Sequence, residues 1–394
     1  MTGNLYARLA ARFPEDRSQA LFVMPDGAAL SYGEVEAGVG RLAALLKAKG
    51  VAPGDRVAVQ SAKSPEMVML YLATLKVGAA LLPLNTAYVA AEIDYFVRDA
   101  EPALFVTDAV ALAAEAAALD PLEAVHEAVP TDLAAIVYTS GTTGRSKGAM
   151  LSHQALGDNG QALTDAWGFT GADTLLHALP IYHVHGLFIA LHCVLLSGSK
   201  LLWLPKFDET AVVAAMRQST VMMGVPTFYT RLLADPRFTR EAAAAIRLFI
   251  CGSAPLLPST FEDFAARIGQ RILERYGMSE AAIITTNPLH GERLAGSVGY
   301  PLPGVSLRVA DDGIVQIKGP SVTSGYWRNP AKTADAFAAD GYFITGDVGR
   351  LDPDGRLWLS GRVSDLIISG GLNIYPKEIE LVLDEMAGVV ESAV

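Results

Sequence analysis

The sequence predicts an α/β fold: mixed, mainly parallel sheets layered with helices, plus a smaller β-rich subdomain toward the C-terminal end. Three observations carry that expectation. Short, continuous apolar runs alternate with helix-like segments over most of the chain, the pattern of strands covered on both faces. The 394 residues suffice for two or three subdomains rather than one small core. After about Gly299 the pattern changes to short strands with Gly- and Asp-rich turns.

Each element has its own signal. Residues 31–50 read as a helix, with Ser31 as N-cap, Glu34 as its capping-box partner and Gly50 as the stop. Residues 56–60 form a short apolar strand, and 64–78 a second helix opened by Ser-Pro, leading into the apolar run 79–84. Further strands are expected at 103–107, 134–139, 175–179, 201–204, 221–225, 247–251 and 271–274, with an Ala-rich helix at 109–118. Residues 306–309 and 314–318 flank Asp311-Asp312-Gly313, a hairpin turn signal.

Composition excludes several classes. Lys and Arg number 31 against 42 Asp and Glu, a formal charge of −11, which argues against nucleic acid as a partner. Hydrophobic residues make up 51% and charged ones 19%, enough for a large core and too apolar for disorder. Cys193 and Cys251 are isolated among apolar segments and read as reduced core residues. The first 18 residues carry charges throughout and no apolar core, so no signal peptide is expected. The longest apolar run, 187–196, falls short of the roughly 20 residues that cross a bilayer. A cytoplasmic protein is the expectation.

Residues 138–148, Tyr-Thr-Ser-Gly-Thr-Thr-Gly-Arg-Ser-Lys-Gly, come directly after an apolar strand. Gly141 and Gly144 let the backbone turn and bring N–H groups close to an anion. Thr139, Ser140, Thr142 and Thr143 add hydroxyl donors, and Lys147 supplies a point charge for phosphate oxygens. The spacing is not that of a Walker A loop.

This string resembles the phosphate loop of the adenylate-forming superfamily, which includes acyl-CoA synthetases, luciferases and peptide-synthetase adenylation domains. Five more strings stand in the family's order. Gly252-Ser253-Ala254-Pro255 resembles the adenine-lining segment. Tyr276-Gly277-Met278-Ser279-Glu280 resembles the motif whose Glu holds Mg²⁺ on the ATP phosphates, with Ser279 where Thr is usual. The resemblance thus implies Glu280, with Thr139, as metal contacts; a hard carboxylate oxygen suits Mg²⁺. Residues 342–347 resemble the ribose segment, with Asp347 accepting the ribose hydroxyls. Residues 359–362 and 369–378 resemble the hinge and the segment beyond it. Arg362 is then a further ribose or phosphate contact, with Ser364, Asp365, Gly370 and Gly371 around the hinge and the CoA path.

The resemblance implies two half-reactions at one site. A carboxylate attacks the α-phosphate of ATP, giving an acyl-adenylate and pyrophosphate, and a thiol, usually coenzyme A, then displaces AMP. His183 matches the position beside the acyl carboxylate, and His183, Glu280 and Lys147 are the expected catalytic set. Arg275 stands where many relatives carry Gly, and Arg231 lies on a segment flanking the acyl pocket. Either guanidinium suits a second carboxylate bound bidentately, with Ser253 and His185 adding donors. Residues 180–188, 224–232, 274–280 and 299–309 together look like the malonyl-CoA synthetase branch, so a small dicarboxylic acid, malonate above all, is the expected substrate.

On this reading residues 1–361 form the N-terminal domain, with its β-rich part at about 300–361. Residues 362–394 hold the hinge and the start of a C-terminal domain that is mostly absent. Family members continue into that domain, which carries a late catalytic Lys for which no residue here stands. Two alternatives stay open: a ligase for another short or medium-chain acid, and a module that binds ATP and acid with little turnover. Nothing in the sequence bears on oligomeric state.

Overall fold

The computed structural model describes residues 3–139, 146–365, 367–369, 372–374 and 376–384, with Met386, Val389, Ser392 and Val394. Among these residues the strands form a five-stranded sheet, a thirteen-stranded sheet and one two-stranded pair. In the smaller sheet Leu104–Val106, Arg56–Val59, Ala80–Pro83 and Leu133–Thr139 run parallel in that spatial order, and Lys147–Ser152 closes the edge antiparallel.

The larger sheet has a parallel centre. Leu273–Met278, Leu248–Cys251, Val221–Gly224, Thr174–His177, Lys200–Trp203 and Ala20–Val23 pair in sequence across it, all parallel. Val221–Gly224, Leu248–Cys251 and Thr174–His177 are buried at every position, which is why each reads as an unbroken apolar run rather than an alternation. The antiparallel strands from Ser297–Pro301 to Leu357–Arg362 join this sheet through Ala282–Thr286. They also pack a core of their own around Ile317, Phe343 and Leu357. The α/β class is as expected, and the β-rich stretch continues the main sheet by hydrogen bonding.

Local signals placed several elements well. The helix Tyr32–Ala48 opens on the predicted capping box: Glu34 N donates to Ser31 Oγ at 3.2 Å and Ser31 N donates to the Glu34 carboxylate at 2.8 Å. Ser306–Val309 and Ile314–Lys318 form the predicted hairpin. One strand differs. The expected strand at 271–274 runs instead from Leu273 to Met278. Arg271 is held outside it, its guanidinium donating to Arg293 O, while Arg275–Met278 pair with Ala282–Thr286.

Cys193 and Cys251 are buried free thiols, as expected. Among the described residues no helix is long and apolar enough to cross a membrane. The parallel strands place the next feature. The turns after Thr174–His177, Val221–Gly224 and Leu248–Cys251 leave the sheet at neighbouring carboxyl ends, where open α/β sheets bind ligands.

Candidate active site

A cavity of about 780 Å³ opens at these strand ends. Its lining includes Thr139, Lys147, His183, His185, Ser253, Arg275, Gly277, Met278, Ser279, Glu280 and Arg362, so most of the sequence-predicted side chains converge on one space. Three parts of the lining differ in chemistry.

The first part is anionic and cationic at once. Thr139 ends one strand and Lys147 begins the next, paired across the sheet edge. Ser140, Gly141, Thr142, Thr143 and Gly144 lie outside the described residues. The Lys147 ammonium sits 5.0 Å above the Tyr326 ring. The Tyr326 hydroxyl donates to Glu280 Oε1 at 3.0 Å. Glu280 is 7% exposed, and burial raises its carboxyl above the ordinary carboxylate range.

A tight chain reversal presents Glu280. A Cβ on Gly277 would lie 1.9 Å from Ala282 O, so only glycine lets the strand pair bulge between Tyr276 and Gly277. Among the described residues no cluster of three or more His, Cys, Asp or Glu side chains forms a ready-made metal cage. One buried carboxylate beside a hydroxyl fits Mg²⁺, which is held by one or two carboxylates plus substrate phosphates.

The second part sits on the antiparallel strands. Arg362 Nε donates to Asp347 Oδ1 at 2.7 Å, and the Tyr276 hydroxyl donates to Asp347 Oδ2. Asp347 is 4% exposed and stands behind Thr345, Gly346 and Arg362, which line the cavity directly. Burial, then the adjoining carboxylate, holds the Tyr276 phenol well above its ordinary pKa, so it stays a donor. Gly252, Ala254 and Tyr276 do not line the cavity wall. Ser364 and Asp365 occupy an exposed 3₁₀ turn beyond Arg362, bonded to each other at 2.8 Å. Gly370 and Gly371 lie outside the described residues.

The third part surrounds Arg275. This residue is 4% exposed, and burial lowers its pKa to about 10. Arg275 Nη2 donates to Ser253 Oγ at 3.3 Å, and among the described residues no carboxylate pairs with the guanidinium. Gly252 leaves the room: a Cβ there would lie 2.6 Å from Arg275 Cζ. Ser253, held at a left-handed φ of 74°, is also 3.2 Å from His185 Nδ1.

Arginine only donates, so Ser253 Oγ accepts from it, and the contact with His185 Nδ1 takes its direction from the imidazole tautomer. Burial, with Arg275 nearby, holds His185 well below its ordinary pKa, so the ring is neutral. Both His185 Nε2 and Arg275 Nε are buried without a hydrogen-bond partner. Arg275 Nε is a donor left unanswered beside the cavity, and it calls for an acceptor-only group, which is what a carboxylate is. His183 lines the same cavity and packs its ring 4.6 Å from Tyr182.

Arg231 is a correction. It lies on the helix Pro226–Ala234, and its guanidinium turns to the surface rather than to the cavity. Nε and Nη2 donate to the two oxygens of Glu209 at 2.5 and 2.8 Å, above the face of Phe207. The fork is thus satisfied within the protein. Tyr326 is the reverse case, a lining residue that sequence reasoning passed over. Its one signal was an aromatic pair, Tyr326-Trp327, between Gly325 and Asn329-Pro330 in a stretch read only as short strands.

Known proteins share this sequence pattern and this fold. The profile of the AMP-binding enzyme family matches residues 6–327. The chain is 33% identical to a malonate–CoA ligase of Arabidopsis thaliana, over 100% of this chain and 76% of that one. Its fold superposes on ATP-bound MatB from Rhodopseudomonas palustris with a TM-score of 0.97, at 47% identity, over 100% of this chain and 85% of that one. A malonyl-CoA ligase ternary product complex with methylmalonyl-CoA and AMP matches with a TM-score of 0.80 at 35% identity, over 98% and 87% of the two chains.

Proposed function

We infer the function from a plain premise: this chain belongs to the AMP-binding enzyme family. It is an AMP-forming acid–thiol ligase that uses ATP and coenzyme A, and its substrate is malonate. The observation that carries the choice of acid is the buried, carboxylate-free guanidinium of Arg275 with His185 and Ser253 beside it.

In this reading the two ends of the diacid are held by different chemistry. The distal carboxylate accepts from Arg275 and, in the Nε2–H tautomer, from His185, which answers both orphan nitrogens. That fixes the proximal carboxylate beside His183, toward Lys147 and Glu280. The proximal oxygen forms a bond to the α-phosphorus of ATP as the bond to pyrophosphate breaks. In the second half-reaction the thiol of coenzyme A loses its proton to solvent as its sulfur bonds to the acyl carbon, and AMP leaves with the pair of the broken C–O bond.

Carboxylate and triphosphate repel, so holding them in line is the main physical task. Thr139 and Lys147 contribute donors and positive charge on the phosphate side, and Arg362, fixed by Asp347, faces the ribose. When bound, Mg²⁺ screens the phosphate charge, and Glu280 with Thr139 is the set that would hold it.

The deciding experiment is a substrate screen by ATP–pyrophosphate exchange and thioester formation with malonate, methylmalonate and butyrate. A site built to bond the distal carboxylate should reject butyrate by about 10⁴–10⁵. Comparable turnover of malonate and butyrate overturns the assignment.

A further inference from the structure

Behind the acid-binding wall lies a second basic side chain, half-buried, whose ammonium pKa is held well below its ordinary value by desolvation. Lys63 leaves the turn between the strand Arg56–Val59 and the helix Pro65–Lys76, and its ammonium is enclosed by the larger sheet. Nζ donates to His177 O at 2.8 Å and to Leu204 O at 2.6 Å, and stands 2.9 Å from His177 Nδ1. The Trp203 ring lies 4.3 Å away. Among the described residues no carboxylate joins this group.

The hydrogen positions of the cluster are over-determined. His177 Nε2 lies 2.9 Å from the carbonyl oxygen of Gly186, which only accepts, so Nε2 carries the proton. Burial and the adjoining ammonium hold His177 well below its ordinary pKa, so the ring is neutral and Nδ1 is bare. Nδ1 therefore accepts from Lys63. Three acceptors around one Nζ use all three N–H bonds of an ammonium, and a neutral amine would leave one acceptor unanswered.

Gly186 connects this cluster to the substrate. It is the second residue of the π-helical turn His185–Ala190, a helix form often found at functional sites. A Cβ on Gly186 would lie 2.1 Å from Pro180 O, so its backbone has no freedom to retreat. The residue before it is His185, whose ring meets Ser253 and, through it, Arg275.

We propose that Lys63 and His177 are positioning residues for the acid substrate: Lys63 donates to His177 Nδ1 and holds the ring in place, and His177 pins the Gly186 carbonyl and so the ring of His185. This rests on the reading that His185, Ser253 and Arg275 hold the distal carboxylate. The link runs from the smaller sheet to the diacid anchor and bypasses the phosphate side of the cavity. Its loss should therefore weaken malonate and spare ATP.

The test pairs two substitutions at one position. In His177→Gln the amide nitrogen takes the place of Nε2 and keeps the bond to Gly186. In His177→Asn the amide sits at the place of Nδ1 and that bond is lost. Malonate Kd is measured by calorimetry in the presence of a non-hydrolysable ATP analogue, beside the Kd of the analogue itself. His177→Gln should stay within about threefold of wild type for malonate, whereas His177→Asn and Lys63→Met should weaken it by about tenfold or more, the loss of roughly one bond in a buried network. Analogue affinity should hold within about twofold.

Equal malonate affinities for the Gln and Asn variants, or a parallel loss of analogue affinity, overturn the proposal. ¹⁵N NMR of His177 gives a readout that needs no substrate: the wild-type ring should be protonated at Nε2, and a ring protonated at Nδ1 sinks the claim. A wild-type chain that shows this tautomer but does not bind malonate counts against the diacid reading alone.

Discussion

Arg275 Nη2 donates to Ser253 Oγ at 3.3 Å, and among the described residues that is the guanidinium's single hydrogen bond. A buried charge so poorly answered is costly in the free protein and is repaid when an anion binds. Arg275→Met should lower kcat/KM for malonate by about 10²–10³, the usual loss when one member of a buried charge pair is truncated. The unliganded variant should melt no lower than wild type, because an uncompensated charge has been removed. Unchanged malonate kinetics, or a clear fall in Tm, would contradict the assignment.

Arg231 gives the contrasting expectation. Its side chain is 53% exposed and already paired with Glu209. Arg231→Ala should leave malonate KM and kcat within about twofold of wild type and stability little changed, as for most exposed ion pairs. A selective loss of malonate affinity in this variant would return Arg231 to the acid site.

Tyr326 joins the two charged sides of the phosphate region, with its hydroxyl on Glu280 and its face under Lys147. Tyr326→Phe removes one donor from a buried carboxylate and leaves the ring. The Mg²⁺ concentration for half-maximal pyrophosphate exchange should rise about fivefold, near the worth of one such bond, with malonate KM unchanged. A metal titration on both proteins decides it, and identical midpoints would remove Tyr326 from the site.

What the sequence made legible was local. Ser31 and Glu34 lie three residues apart, so their capping box is written in one short string, and the turn 311–313 announces its hairpin in the same way. The lining set at Lys147, Ser253, Arg275, Glu280 and Arg362 was visible because each sits inside a recognisable string. Arg231 and Arg275 looked alike from the sequence. Only packing against Phe207 and Glu209 turns one outward, and only the gap left by Gly252 seats the other inside. Tyr326 with Glu280, and Lys63 with His177, are pairs made by chain crossings 46 and 114 residues apart, which no local pattern encodes.

Acid should weaken the fold through His153. Its ring is fully buried, Leu5 N donates to its Nδ1 at 3.1 Å, and burial lowers its pKa from 6.5 to about 4. Between those two values the unfolded chain binds more protons than the folded one, so stability falls as pH drops from about 6.5 to about 4. The contribution lost is about 3 kcal/mol at most, from the size of the shift. His153→Asn keeps an acceptor for Leu5 N and does not titrate. Urea midpoints at pH 7 and pH 4.5 should differ less in that variant than in wild type. Equal pH dependence would show that the ring protonates without cost.

Gly277 ties fold to chemistry most tightly. An added Cβ would lie 1.9 Å from Ala282 O and 2.9 Å from Ala282 C and Ile283 Cα, all backbone atoms in a paired strand. None is the free end of a side chain, so relief requires opening the bulge itself. Gly277→Ala should cost about 2–4 kcal/mol in urea unfolding and displace Glu280 three residues on, so that pyrophosphate exchange falls even where the variant is fully folded. Gly27→Ala is the control: φ there is positive, at 88°, but nothing stands within 4 Å of the new Cβ. That variant should lose only about 1–2 kcal/mol, the strain of a left-handed alanine, with exchange intact. If both variants lost the same stability and kept activity, the close approach at Ala282 O would not be what holds Glu280 in place.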